Sequence, residues 1–284
     1  MKKIICIVIA FILVILTGCT SDLKVNEDVV KDISDKITET IIEKVDNERV
    51  EKKETHTLDA ANSIELIVNG QVGDINIIAV ETQEAIIDAT IIATSNTKSG
   101  AKKLLEDFTY IVEEKWNAIK INTTQSNDKS NIISDGIKVD LNIKIPKTIK
   151  NITITTNVSN LTIENINCDF DAAVNVGDIN IRNSNSLYNV KTDVGDIKLV
   201  NCIISGNSNF NTSTGNVDIL ADDISDAKNI NVETHVGNIS MSLPESSSYK
   251  ANIIEFMKEQ RTEINGDGKA DIKLIAHVGD INLE

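Results

Sequence analysis

The chain is poor in rings, in proline and in positive charge. Its 284 residues hold one Trp, three Tyr, five Phe and two Pro. Large rings supply much of the interior of an ordinary globular core, so their scarcity argues for an interior of stacked Ile and Val. Lys and Arg number 28 against 43 Asp and Glu, a formal net charge of −15. That balance argues against nucleic acid and anionic lipid headgroups as direct partners, and favours a cation or a basic polymer. Catalytic groups are scarce too. No Ser, His and Asp fall in an order that prepares a nucleophile, so no catalytic residue and no cofactor is assigned and the chain is not read as an enzyme.

What is present is a returning phrase. Val176-Gly177-Asp178-Ile179-Asn180-Ile181 comes back as Val194-Gly195-Asp196-Ile197-Lys198-Leu199 and as Val278-Gly279-Asp280-Ile281-Asn282-Leu283. Looser copies surround Gly73, Gly215 and Gly237, and a seventh carries Ser159 in the glycine slot. Aligned on that slot, apolar rows fall in register. Five before it stand Val68, Ile154, Ala172, Val190, Phe210, Val232 and Leu274; one before it, Val72, Val158, Val176, Val194, Thr214, Val236 and Val278. Two after it stand Ile75, Leu161, Ile179, Ile197, Val217, Ile239 and Ile281, and a further Ile, Leu or Met row lies four after. Each side alternates with period two, as half-buried strands do. The parity flips at the glycine, which predicts a corner that keeps one face inward, with Gly free to adopt positive φ there. Asp or Asn always follows, a short polar side chain able to bond backbone at a turn.

Spacing decides the fold class. Successive slots from Ser159 to Gly237 lie 18, 18, 20 and 22 residues apart, and Gly237 to Gly279 is 42, read as about two coils with the middle glycine missing. A period near 20 suits a stacked coil that cannot bury its own face alone. The expectation is an all-β protein, a single-stranded parallel β-solenoid over residues 137–284; a meandering sandwich is the alternative.

A family resemblance enters here. The strand Val139-Asp140-Leu141-Asn142-Ile143-Lys144-Ile145-Pro146, the repeat Thr192-Asp193-Val194-Gly195-Asp196-Ile197, and Asn265-Gly266-Asp267-Gly268 running into Ala276-His277-Val278-Gly279-Asp280-Ile281 resemble the putative adhesin family of bacterial envelope proteins. The likeness spans about residues 57–284. It departs at Ser159 and over residues 249–264, which lack the glycine, and it implies an envelope domain of unknown function.

The N-terminus reads as a lipoprotein leader over residues 1–18. Lys2 and Lys3 precede an apolar run from Ile4 to Leu16, and Leu16-Thr17-Gly18-Cys19 resembles a lipobox, which would make Cys19 the lipid-attachment residue and the anchor to the membrane. The run is shorter than the roughly 20 apolar residues of a spanning helix. Residues 19–55 are read as a helical stalk, because Val30, Ile33, Ile37, Ile41 and Val45 recur at three or four. Residues 56–136 are read as an α+β cap on the solenoid's N-terminal end. Within it, residues 85–93 read as a strand, 97–106 as a helix, and 108–113 with 118–122 as two strands joined near Trp116, with 124–136 a polar loop. Pro146 stops the strand before it. The C-terminal edge is either covered by residues 249–264 or open to another chain, so an oligomer through that edge is a possible partner arrangement.

Three residue sets could hold chemistry. Asp178 and Asp196 would stack about one strand spacing apart, roughly 4.8 Å, close enough to invite Ca²⁺. However, Asn160, Asn216 and Asn238 thin the charge and no Gly-Gly-x-Gly-x-Asp repeat exists, so the row reads as a structural ladder and no metal is assigned. His235 and His277 sit two before their glycines, outward and about two coils apart, roughly 10 Å and too far to share zinc. Cys168 and Cys202 read as free, packed thiols. Lys191, Lys198 and Lys250 are scattered and Arg182 stands alone on its coil, unlike the clustered faces of solenoid lyases. The functional expectation is a membrane-anchored, non-enzymatic envelope lipoprotein that binds or displays an envelope protein or wall polymer. An envelope-stress sensor and a polysaccharide-acting enzyme are the alternatives. Usage rich in Ile, Lys and Asn points to the outer face of a Gram-positive membrane.

Overall fold

The computed structural model describes residues 48–124, 136–256, 258 and 260–284. The leader, Cys19 and the apolar stripe from Val30 to Val45 lie outside the described residues. In chain order the elements are β1 (Glu48–Asp59), β2 (Glu65–Val72), β3 (Ile75–Val80), β4 (Glu84–Ser95), α1 (Lys98–Asp107), β5 (Ile111–Lys115), β6 (Ala118–Asn122) and β7 (Ile137–Pro146). Then come β8 (Asn151–Val158), β9 (Leu161–Glu164), β10 (Asp169–Val176), β11 (Ile179–Arg182), β12 (Asn185–Ser186), β13 (Tyr188–Val194) and β14 (Ile197–Ile204). The last eight are β15 (Gly206–Thr214), β16 (Val217–Asp223), β17 (Ala227–Val236), β18 (Ile239–Ser242), β19 (Tyr249–Glu255), β20 (Arg261–Asn265), β21 (Ala270–Val278) and β22 (Ile281–Leu283).

These strands make two sheets. One runs β1-β4-β7-β3-β9-β11-β14-β16-β18-β22, with β12 beside β14; the other runs β20-β19-β21-β17-β15-β13-β10-β8-β2-β6-β5. Each copy of the repeated phrase gives one strand to each sheet and turns between them at its glycine slot. The parallel pairings keep like residues level: Ile179 faces Leu161 on one side and Ile197 on the other. The result is a β-solenoid, as the spacing predicted. The rows five before and two after the slot are buried in every copy. Burying an Ile or Val fully contributes about 1.5–3 kcal/mol, but only where a neighbouring coil covers it, so a coil depends on its stack. Tyr188, Phe170 and Phe210 are the largest fully buried side chains, so three of the few rings sit in the interior.

Three readings of the sequence need correction. Residues 48–55 are not stalk helix. They begin β1, antiparallel to β4. Their charges pair at the two-residue spacing of one strand face, as Arg49–Glu51 and Lys52–Glu54, rather than at helical spacing. Second, the valines one before the slot do not face inward. Val158, Val176, Val194, Val236 and Val278 are 44–63% exposed, forming a stripe outside the corner; the buried residue is three before the slot, as at Val174 and Thr192. Stacked β-branched side chains on adjacent strands still pack against one another. Third, the 42-residue interval hides no missing coil. β17 pairs directly with β21, and β19 and β20 are an inserted excursion lying beyond β21. Residues 249–264 therefore extend one sheet past the last coil.

The N-terminal end is extended in the same way. The Gly73 coil lies in the stack, between the Ser159 coil and strands β7 and β6. β4 and β1 continue one sheet antiparallel, β5 the other. Helix α1 starts at Thr97, whose hydroxyl accepts the Gly100 N–H at 3.1 Å, and buries Ala101 against this end. Trp116 sits at positive φ in the β5–β6 turn and is 81% exposed, so its place is a turn and not the core.

Candidate functional site

Each glycine corner is built by the coil beneath it. Gly177 has φ +143° and Gly195 +149°, and a Cβ on either would sit 1.9 or 2.1 Å from the carbonyl oxygen of Ser159 or Gly177. Gly73, Gly215, Gly237 and Gly279 meet the same obstruction at 1.9–2.0 Å. Such an approach admits no side chain at all. The residue after the glycine supplies an acceptor. The N–H of Asp74 donates to Oδ1 of Asp140 at 2.8 Å, and that of Asn160 to Asp74 at 3.4 Å. Asp178 then donates to Asn160 (3.1 Å), Asp196 to Asp178 (2.8 Å), Asn216 to Asp196 (2.6 Å), Asn238 to Asn216 (2.9 Å) and Asp280 to Asn238 (2.9 Å). Asp and Asn both fit because only an accepting oxygen is required. Behind this row, Thr192, Thr212 and Thr234 donate to the carbonyls of Gly177, Gly195 and Gly215 at 3.1, 2.9 and 2.9 Å.

Lysines close both ends of the ladder. Lys138 lies 3.1 Å from Asp74 and 3.0 Å from Asp140, and Lys258 lies 2.6 Å from Asp280. Burial acts to raise the Asp74 pKa, but hydrogen bonds and charge from Lys138, with Asn160, outweigh it and hold the carboxyl below its ordinary value. The Asp row is thus occupied by backbone and lysine partners, and its chemistry is that of a corner.

A second corner was not recognised in the sequence. Asn165, Asn183 and Asn201 adopt positive φ of 61°, 50° and 55°. Each lies six after a slot, at Ser159, Gly177 and Gly195, so the signal was a spaced Asn, the side chain best suited to αL after Gly. Beside them runs an open groove of about 790 Å³, floored by Asn165, Asn183, Asn201, Asn167 and Asn185 and bounded by Glu81, Lys147 and Asp222. Lys147 and Glu81 pair at 2.9 Å across its rim.

The histidines are close together, contrary to the sequence expectation. Because β17 pairs with β21, His235 and His277 lie on adjacent strands, rings stacked with centroids 4.5 Å apart. Glu233 joins them, 3.1 Å from Nε2 of His277. Elsewhere, Tyr110 donates to Glu54 at 2.7 Å and meets Nε2 of His56 at 2.6 Å, and burial first, then Glu54, raises its pKa. Both cysteines among the described residues are free: Cys202 is buried, and burial pushes Cys168 up to about 12, far from reactive thiolate.

Several solved structures are similar to this chain. A putative cell adhesion protein from Clostridium sporogenes matches at 18% identity over 82% of this chain and 99% of that one, with a TM-score of 0.36. Putative adhesins from Bacteroides fragilis (15% identity, 82% and 97%, TM-score 0.49) and Parabacteroides distasonis (12%, 84% and 98%, TM-score 0.40) also match. No curated protein matches. The profile of the Toastrack DUF4097 family matches residues 140–284, the stretch that contains six of the seven corners and most of β7 beside the first. On that match the chain belongs to the Toastrack DUF4097 family.

Proposed function

We propose that this chain is an extracytoplasmic lipoprotein, anchored through Cys19, whose solenoid serves as a non-enzymatic binding or display surface at the cell envelope. The observation that carries the binding reading is the asparagine groove. Three successive coils set exposed amides in rank along it; Asn201 Nδ2 donates to Asn183 Oδ1 at 3.4 Å, and amide N–H donors and carbonyl acceptors remain along the row for a ligand. An uncharged polymer with repeating hydroxyl or amide groups, such as a wall glycan, would meet this rank unit after unit. The αL Asn corners and stacked strands hold the amides in place without a ligand, which lowers the ordering cost of binding. Membership in an adhesin-like family of unknown function fits this role. The anchoring half of the proposal rests on Leu16-Thr17-Gly18-Cys19 and the apolar run before it.

One experiment tests both halves. The full chain is produced in bacteria fed an alkyne-tagged fatty acid, and its retention by insoluble wall material is then measured. The intact chain should carry label and fractionate with membranes, and Cys19→Ala should do neither. An Asn167→Ala/Asn185→Ala variant should keep its label yet lose retention. Equal retention by that variant removes the groove from the proposal; a labelled Cys19→Ala chain removes the anchor.

A further inference from the structure

We propose that Glu233, His235 and His277 form a binding site for a divalent transition-metal ion of the zinc type. The pleat assembles the site. Glu233 and His235 are two apart on β17, so both project from its outer face, and the in-register pairing Thr234–Ala276 and Val236–Val278 puts His277 directly across from His235. The nearest donor atoms of the three side chains all lie within 4.8 Å of one another. The imidazoles are nearly parallel, 11° apart, and Glu233 already bonds Nε2 of His277 at 3.1 Å. Zn–N and Zn–O bonds are about 2.0–2.2 Å, so rotations of these surface side chains, without movement of the strands, bring the donors onto one ion.

The donor set selects the metal. Two imidazoles and one carboxylate suit zinc, nickel or copper, whereas calcium and magnesium call for a shell of oxygens. Three protein ligands leave a fourth position for water or for a ligand from outside. Phe256 packs on His277 with centroids 5.8 Å apart, giving the site one apolar wall. Only three histidines occur in the chain, and two meet here. The surrounding charge also helps, since a net −15 draws cations to the surface. An ion held here would clip β17 to β21, joining the last two coils.

The test uses the full chain without a polyhistidine tag, titrated with zinc sulfate in a calorimeter and, separately, with Co²⁺ while visible absorption is followed. The wild type should bind one zinc ion per chain, develop the Co²⁺ bands of a low-coordinate site, and melt at a higher temperature with zinc. His235→Ala, His277→Ala and Glu233→Gln should each weaken binding by about tenfold or more and abolish the zinc-dependent shift in melting. Their side chains are at the surface, so their metal-free melting curves should match the wild type and establish that the variants fold. No saturable binding by the wild type overturns the proposal. So does binding that persists undiminished in His277→Ala, which would move the ion to other carboxylates.

Discussion

At residue 195 two requirements coincide. The backbone turns through φ +149°, and the space where a Cβ would stand belongs to the carbonyl of Gly177. Gly195→Ala must displace backbone in two coils, so we predict destabilisation of about 3 kcal/mol or more, beyond the ordinary Gly-to-Ala penalty at positive φ; urea unfolding measures it. Ser159 shows the limit of the rule. It is the one slot whose residue does not adopt positive φ, yet it still supplies the carbonyl against which Gly177 packs. Sequence parity revealed the glycine corner because Gly and Asp are distinctive residues in an alternating run. It did not reveal that the valine before each glycine faces solvent, because Val suits the inside and outside of a strand equally. Nor did it mark Asn165, Asn183 and Asn201, since Asn is common throughout this chain and only the backbone angle sets those three apart.

The element that resisted reading is the β19–β20 excursion. A 42-residue gap in a 20-residue rhythm suggests a worn coil, because distance along the chain carries no sign of which strand pairs with which. The displaced count also separated His235 from His277 on paper, though they touch in the structure. What holds the excursion down is Glu255, 4% exposed, which accepts from Lys258 at 3.0 Å, from the Ile281 N–H at 3.0 Å and from Arg261 at 2.8 Å. The Lys258 hydrogen bond lowers its pKa; burial opposes, and Ile281 and Arg261 add to the lowering, leaving it below the ordinary glutamate value. A carboxyl whose folded pKa is depressed contributes stability above its unfolded pKa and loses it as pH falls through the folded one. Glu255→Gln should therefore cost about 2 kcal/mol at pH 7. The gap between variant and wild-type urea midpoints should close as pH drops below about 4. A gap that stays constant to acid pH would show that the charge contributes nothing. The same side chains blunt the open edge with charge, as exposed sheet edges commonly are.

For the molecule as a whole, the repeat makes length adjustable. Ser159, Gly177 and Gly195 are 18 residues apart, and their strands stack without a register shift. Excising residues 178–195 joins Gly177 to Asp196 and preserves a Gly-Asp corner. We predict that this shortened chain still unfolds cooperatively in urea, with a smaller m-value in proportion to the surface lost. Removing residues 179–195 instead leaves one residue too many and turns the following strand inside out, so that chain should not fold. Fold class was legible because period and parity are properties of every coil. The groove and the metal triad were not, because they depend on which coils become neighbours.

The ladder of amides and side-chain oxygens also has a direction. From Asn160 onward, every coil holds out an oxygen to a coil not yet made, so a chain emerging N-terminus first finds each newcomer's seat already prepared. The Gly73 coil is the exception, because its amide at Asp74 waits for Asp140, 66 residues later. For this ladder, once β7 is in place, each later coil meets its acceptor as soon as it emerges.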